Sequence, residues 1–162
     1  MSFELVIFSP GFIQKQAVAE VIKCNDYTER FGLVLTRAQA MELVETRAHA
    51  LKDRGRVEFG GGVIDKIIKE FCDSPYISMH NYTKILHELT EIFYYYKNET
   101  LDLISDDDLI QFMKSSFDGT CRGSLDLLSN RELYWMAKNL RFGLTDNHSQ
   151  GSFSDCEEKE YE

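Results

Sequence analysis

Proline is nearly missing from this chain of 162 residues: Pro10 and Pro75 are the only two, which leaves long stretches free to run as helix. No apolar run approaches the ~20 residues that span a bilayer. The opening MSFELVIFSPGF has an apolar centre with no Lys or Arg ahead of it, so it makes a poor secretory signal, and a cytoplasmic protein is expected. There is no C-x-x-C pair. Cys24, Cys72, Cys121 and Cys156 are scattered, and a chain this long needs no disulfide staples, so all four read as free thiols. No G-x-S-x-G nucleophile motif occurs, and no cofactor is implied.

Positive charge is scarce as well. The 18 basic residues face 27 acids, a net charge of −9. Residues 145–162 hold six acids and one lysine, a balance of −5, and the remaining body sets 17 bases against 21 acids, a balance of −4. Such a body attracts neither a phosphate backbone nor an anionic bilayer, so neither nucleic acid nor membrane is an expected partner.

What is present is helical periodicity. Ser9-Pro10 is a helix entry, followed to about Asp26 by Ile13, Ala17, Val21 and Cys24 at helical spacing. Thr36 with Gln39 forms a capping box, Ala40, Leu43, Val44 and Leu51 form a stripe, and Glu42, Arg47, Lys52 and Arg54 are expected to point elsewhere. Gly55 suits a left-handed stop. A third helix is predicted over Gly61–Asp73 and a fourth, the longest, over Ser78–Asn98. Ser105 caps a fifth, with Asp106, Asp107 and Asp108 in its first turn. Ser124–Leu128 has room for one turn, and Ser129–Glu132 reads as a second capping box ahead of LYWMAKNL, which Gly143 ends. Strand signals are minor: FELVIF at 3–8, and the pieces 33–35 and 56–59 that flank the second helix. The expected fold is mainly α, a compact bundle of about six helices over residues 1–144, with room for a small two- or three-stranded β-ribbon. Residues 145–162 read as a disordered acidic tail.

The segments GRVEFGGGVIDKIIKEFCDSPYIS and LHELTEIFYYYKNETLDLISDDDLIQFMK resemble a small family of uncharacterised bacterial proteins, chiefly clostridial, known only as a domain of unknown function. The likeness covers roughly residues 3–143. It implies a bacterial cytoplasmic protein and brings no reaction, cofactor or catalytic residue with it.

Three constellations invite a function. Gly60-Gly61-Gly62 opens a helix, whose free amides with Arg56 and Lys66 could take an anion. The stretch lacks the G-x-x-x-x-G-K-[ST] spacing of a phosphate loop, and a bend explains it as well. His80, His87 and Glu91 share a helix face and are metal candidates, although Lys84 lies among them and a solvated face explains all four. The four rings of Phe93-Tyr94-Tyr95-Tyr96 cannot all face one stripe, so Tyr94 and Tyr95 are candidates for a partner surface. The leading expectation is therefore a non-catalytic module whose partner is another protein. The alternative is a small-molecule or anion-binding protein, perhaps an enzyme, acting at the glycines.

The acidic tail offers one phenylalanine and one late tyrosine as large apolar groups, too little to offset ordering its residues at ~1–2 kcal/mol each. Truncation after Leu144 is expected to leave the denaturant midpoint unchanged within error, and a large drop in that midpoint would show that the segment docks.

Overall fold

The computed structural model describes residues 10–143. Six helices of ten residues or more make the frame: α1 (Pro10–Lys23), α2 (Arg37–Arg54), α3 (Gly62–Phe71), α4 (Tyr82–Glu99), α5 (Asp106–Asp118) and α6 (Leu133–Gly143). Short turns fill the joints, at Asn25–Thr28, Glu29–Phe31 and Leu125–Leu127. The strand expected at 3–8, the Ser9 cap, Cys156 and the acidic tail lie outside the described residues.

Helix ends follow local chemistry. Thr36 Oγ1 accepts from Gln39 N at 3.1 Å while Gln39 Oε1 accepts from Thr36 N at 2.9 Å, so the capping box closes in both directions. Ser105 Oγ accepts from Asp108 N at 3.1 Å, which sets the start of α5. α4 starts later than its periodicity suggests. The Asn81 side chain holds Ser78 N and the Tyr76 carbonyl in a loop, and helix begins only at Tyr82.

α4 is the central element. It packs most extensively on α2, and α3, α5 and α6 also lie against it, while α1 crosses α2 and α3. Leu43 of α2, Ile67 and Ile68 of α3, Leu89 and Phe93 of α4, and Met113 and Phe117 of α5 are almost wholly removed from water. Each such side chain contributes about 1.5–3 kcal/mol relative to exposure. Phe71 meets Phe117 edge-on, with centroids 5.6 Å apart.

The mainly α bundle stands, with two local differences from the sequence reading. Among the described residues there is no strand, and the pieces 33–35 and 56–59 do not pair as a ribbon. Side chains take the place of a partner strand: Asn25 Oδ1 accepts from Leu35 N at 2.9 Å, Asn25 Nδ2 donates to Leu35 O at 3.0 Å, and Thr28 Oγ1 donates to Leu33 O at 2.7 Å. With these backbone groups satisfied, Leu33 and Leu35 are buried as loop residues. The second difference is a correction: the capping box expected at Ser129–Glu132 does not form. Helix starts one turn earlier, where Ser124 Oγ accepts from Leu127 N at 3.1 Å, and Leu128–Glu132 forms a π-turn leading into α6. The Ser129 carbonyl accepts from Tyr96 Oη at 2.5 Å, a side-chain partner of the kind that accompanies such bulges.

Candidate functional site

The triple glycine is a bend filled by the protein's own carboxylates. Gly60 has φ +62° and Gly62 φ +48°, both in the left-handed region. A Cβ on Gly60 would lie 2.4 Å from Glu20 Oε1, and one on Gly62 2.4 Å from Glu58 Oε1. Gly61 has ordinary helical φ, yet its Cβ would sit 2.0 Å from Asp65 Oδ1. Two of the free amides at the start of α3 are already engaged. Gly61 N donates to Glu20 Oε1 at 2.7 Å, and Val63 N donates to Glu58 Oε1 at 3.2 Å. These are the positions an external anion would use at a helix N-terminus.

Beneath the bend lies Arg47, expected to point away from the apolar stripe of α2 and instead 3 % exposed. Its guanidinium donates to Gly60 O at 2.7 Å, Gly61 O at 3.0 Å and Glu58 Oε1 at 3.3 Å. The other Glu58 oxygen accepts from Tyr94 Oη at 2.5 Å. Burial pushes the Tyr94 phenol far up, and the Glu58 carboxylate pushes it further, so it stays a donor. Spacing gave a signal for Arg47: it falls three residues after Val44 and four before Leu51, squarely on the stripe.

Asp65 completes the cluster. Its Oδ1 is buried and accepts no hydrogen bond. Burial pushes its carboxyl up, and Glu20 pushes the same way, against the Cys24 thiol, Lys69 and Arg47. Burial, then Asp65, raises the Cys24 thiol to about 12, so it remains a thiol and a poor nucleophile at neutral pH.

The remaining anion candidates are drawn elsewhere. Arg56 Nη2 donates to both Asp102 oxygens at 3.0 Å and to Asn98 Oδ1 at 3.1 Å. Lys66 pairs with Asp107 at 2.9 Å. Arg56 does line a cavity of about 180 Å³ with Val57, Glu58, Tyr94, Lys97 and Asp106. Lys97 is buried there, bonded to Ile104 O and paired with Asp106 at 2.9 Å.

Among the described residues no three His, Cys, Asp or Glu side chains gather so as to hold a metal ion. His87 Nδ1 lies 2.7 Å from Thr46 Oγ1, while His80 and Glu91 are exposed. The tyrosine pair divides. Tyr94 is interior and belongs to no surface, which corrects its expected place, whereas Tyr95 is 47 % exposed. Sequence reasoning missed three further exposed rings: Tyr134, Trp135 and Phe142 of α6 are 45 %, 51 % and 60 % exposed. Tyr95 stands edge-on to Tyr96 at 4.9 Å, and Tyr134 to Trp135 at 5.3 Å. Burial raises the Tyr96 phenol, and Tyr95, Glu99 and Tyr134 add to the rise. The signal for this surface was Trp135 and Phe142 seven residues apart, on a face opposed to buried Leu133 and Ala137.

Arg47→Met removes the counter-charge of Glu58 and the guanidinium donors to Gly60 O and Gly61 O, and is expected to cost about 3 kcal/mol. That is the low end of the range for breaking a buried pair, because Glu58 keeps 21 % of its side chain in water. The double variant Arg47→Met/Glu58→Gln should cost less than the two single changes together, measured by urea denaturation.

Asp65 has the opposite sign. Its folded carboxyl titrates above the ordinary 3.8, so the native state holds more protons than the unfolded chain across that window. Its ionisation therefore destabilises the fold increasingly as pH rises through the window. Asp65→Asn should raise the melting temperature at about pH 7 and leave it unchanged below about pH 3.5, where both states of the parent are protonated. A loss of stability at neutral pH would refute this assignment.

No curated protein and no solved structure matches the chain. A family model does match, over residues 20–146, which includes the glycine bend, Arg47, Tyr95 and the aromatic side of α6. The chain belongs to DUF6323, a family of unknown function.

Proposed function

We propose that this chain is a non-catalytic interaction module of the bacterial cytoplasm, and that it docks another protein on the face formed by Tyr95, Tyr134, Trp135 and Phe142. The observation that carries the reading is the exposure of these four rings, each left with about half of its surface in water. Aromatic groups in water are the residues that anchor protein interfaces, since each removes a large apolar area with few rotamers to freeze. The polar groups that might otherwise serve chemistry already have internal partners: Glu20 and Glu58 on amides, Tyr94 on Glu58, Lys97 on Asp106. The body's balance of −4 disfavours nucleic acid and anionic membrane as alternatives.

A second reading is favoured by the cavity beside Arg56. With about 180 Å³ and Lys97, Tyr94 and Glu58 on its walls, it would suit a small polar molecule. A ligand specific for it would raise the melting temperature in a saturable way, and Arg56→Ala would abolish that rise.

The docking reading is tested by affinity capture with the full chain against Trp135→Ala, Phe142→Ala and, as a control on another exposed apolar residue, Val34→Ala. A partner held by the parent and by Val34→Ala should be weakened roughly thirtyfold by Trp135→Ala, the effect of losing a ~2 kcal/mol anchor. Capture that is indifferent to both aromatic substitutions would refute the reading.

A further inference from the structure

We infer that the segment recognised by this face is acidic, carrying carboxylates on either side of an apolar anchor. The inference rests on the docking reading and names the chemistry of its partner. Each of the four exposed rings has a cation at hand. Lys138 Nζ lies 5.0 Å from the Trp135 centroid and 5.8 Å from that of Tyr134. Arg54 Cζ lies 5.8 Å from the Tyr95 ring, and Arg141 Cζ 5.7 Å from that of Phe142.

The charge on this face departs from that of the molecule. α6 contains Lys138 and Arg141 and no acid, although the body as a whole has an excess of acids. Several cations elsewhere are matched by carboxylates: Arg56 by Asp102, Lys66 by Asp107, Lys84 by Glu88, Lys114 by Asp73 and Asp118. Among the described residues neither Arg54 nor Lys138 has such a pair, and Arg54 Nε is buried with no hydrogen-bond partner. Arg141 is the one cation of the three already committed, to the Glu99 carbonyl at 2.8 Å and its carboxylate at 3.3 Å.

Physical complementarity then specifies the partner. A cation on an aromatic face is partly desolvated on its ring side, while its other side still has donors to give. A carboxylate approaching from the partner makes charge-assisted hydrogen bonds there, and an apolar side chain beside it covers ring area that the cation leaves open. A basic segment would meet Lys138 and Arg54 with like charge, and a purely apolar one would bury them without a counter-charge.

Trp135 is the only tryptophan in the chain, so its emission reports on this face directly. The full-length protein is titrated with a synthetic peptide in which glutamates flank a Phe-Leu pair, and with the same peptide bearing glutamines. The expected result is a saturable shift of Trp135 emission with the glutamate peptide, at least roughly tenfold weaker binding for the glutamine peptide, and weakening as salt rises. Lys138→Glu should reduce binding of the glutamate peptide by a similar factor. Lys138→Gln, with an unchanged melting temperature, guards against a folding artefact. Equal binding of both peptides, or no response to either, would overturn the inference. So would a stronger shift with anionic phospholipid vesicles, with a single-stranded RNA oligonucleotide, or on raising the protein's own concentration. A natural partner that is lost on Trp135→Ala but kept by Lys138→Glu overturns the acidic assignment and leaves docking intact. One indifferent to both overturns docking itself.

Discussion

One guanidinium holds the loop that joins α2 to α3. Arg47 leaves α2 at a position that packing would give to a leucine, and its nitrogens reach two consecutive carbonyls and a carboxylate on that loop. Burying a charge in this way is costly unless its partners are complete. Here Gly60 O and Gly61 O both accept from the guanidinium, Gly61 O also taking the Asp65 amide, and Glu58 supplies the opposite charge. The geometry in turn dictates glycine. Carbonyls can converge on one guanidinium only where the chain turns through left-handed φ at Gly60 and Gly62, with no Cβ to collide with Glu20 or Glu58. Sequence features that look separate, an arginine in a stripe and three glycines thirteen residues on, are parts of one device.

The device also uses up what makes a helix N-terminus attractive to anions. Glu20 reaches in from α1 and Glu58 folds back from the loop, and each accepts an amide hydrogen bond at the start of α3. An incoming phosphate would have to displace two tethered carboxylates, each present at the high effective concentration of an intramolecular ligand. Asp65 adds a third carboxyl whose charged form is disfavoured by burial. The local field thus opposes a further anion, despite the nearby guanidinium, and Arg56 and Lys66 spend their charge on Asp102 and Asp107.

Much of the frame was legible because it rests on short-range chemistry. The Thr36–Gln39 box, the Ser105 cap and the Gly55 stop each involve residues within a few positions of one another, and each appears where spacing placed it. Illegible features depend on distant partners. Asn25 replaces a β-ribbon by bonding both polar groups of Leu35, ten residues away, and nothing in its own neighbourhood announces that. The π-turn at Leu128–Glu132 imitates a capping box in sequence, while a hydroxyl from Tyr96 on another helix takes the Ser129 carbonyl. Tyr94 and Tyr95 are adjacent in sequence and face opposite ways. Period alone showed that four successive rings must divide, and only the position of Glu58 decides that Tyr94 is the interior one.

The same division explains why aromatic groups collect outside α6. A helix packed on one side buries only a stripe, and in α6 that stripe is met by Leu133 and Ala137. An alanine there brings α6 close to its neighbours, and the bulk at 134, 135 and 142 is carried on the far side. Solubility alone would fill those positions with small polar or charged residues. Rings with cations set above them keep their area dry on one side only, and the uncovered remainder gains free energy when a surface of matching charge closes over it. The interior of this protein is satisfied by its own carboxylates. Its α6 face, where Lys138 lies near Trp135 with no carboxylate pair among the described residues, is the part that we propose meets carboxylates from another molecule.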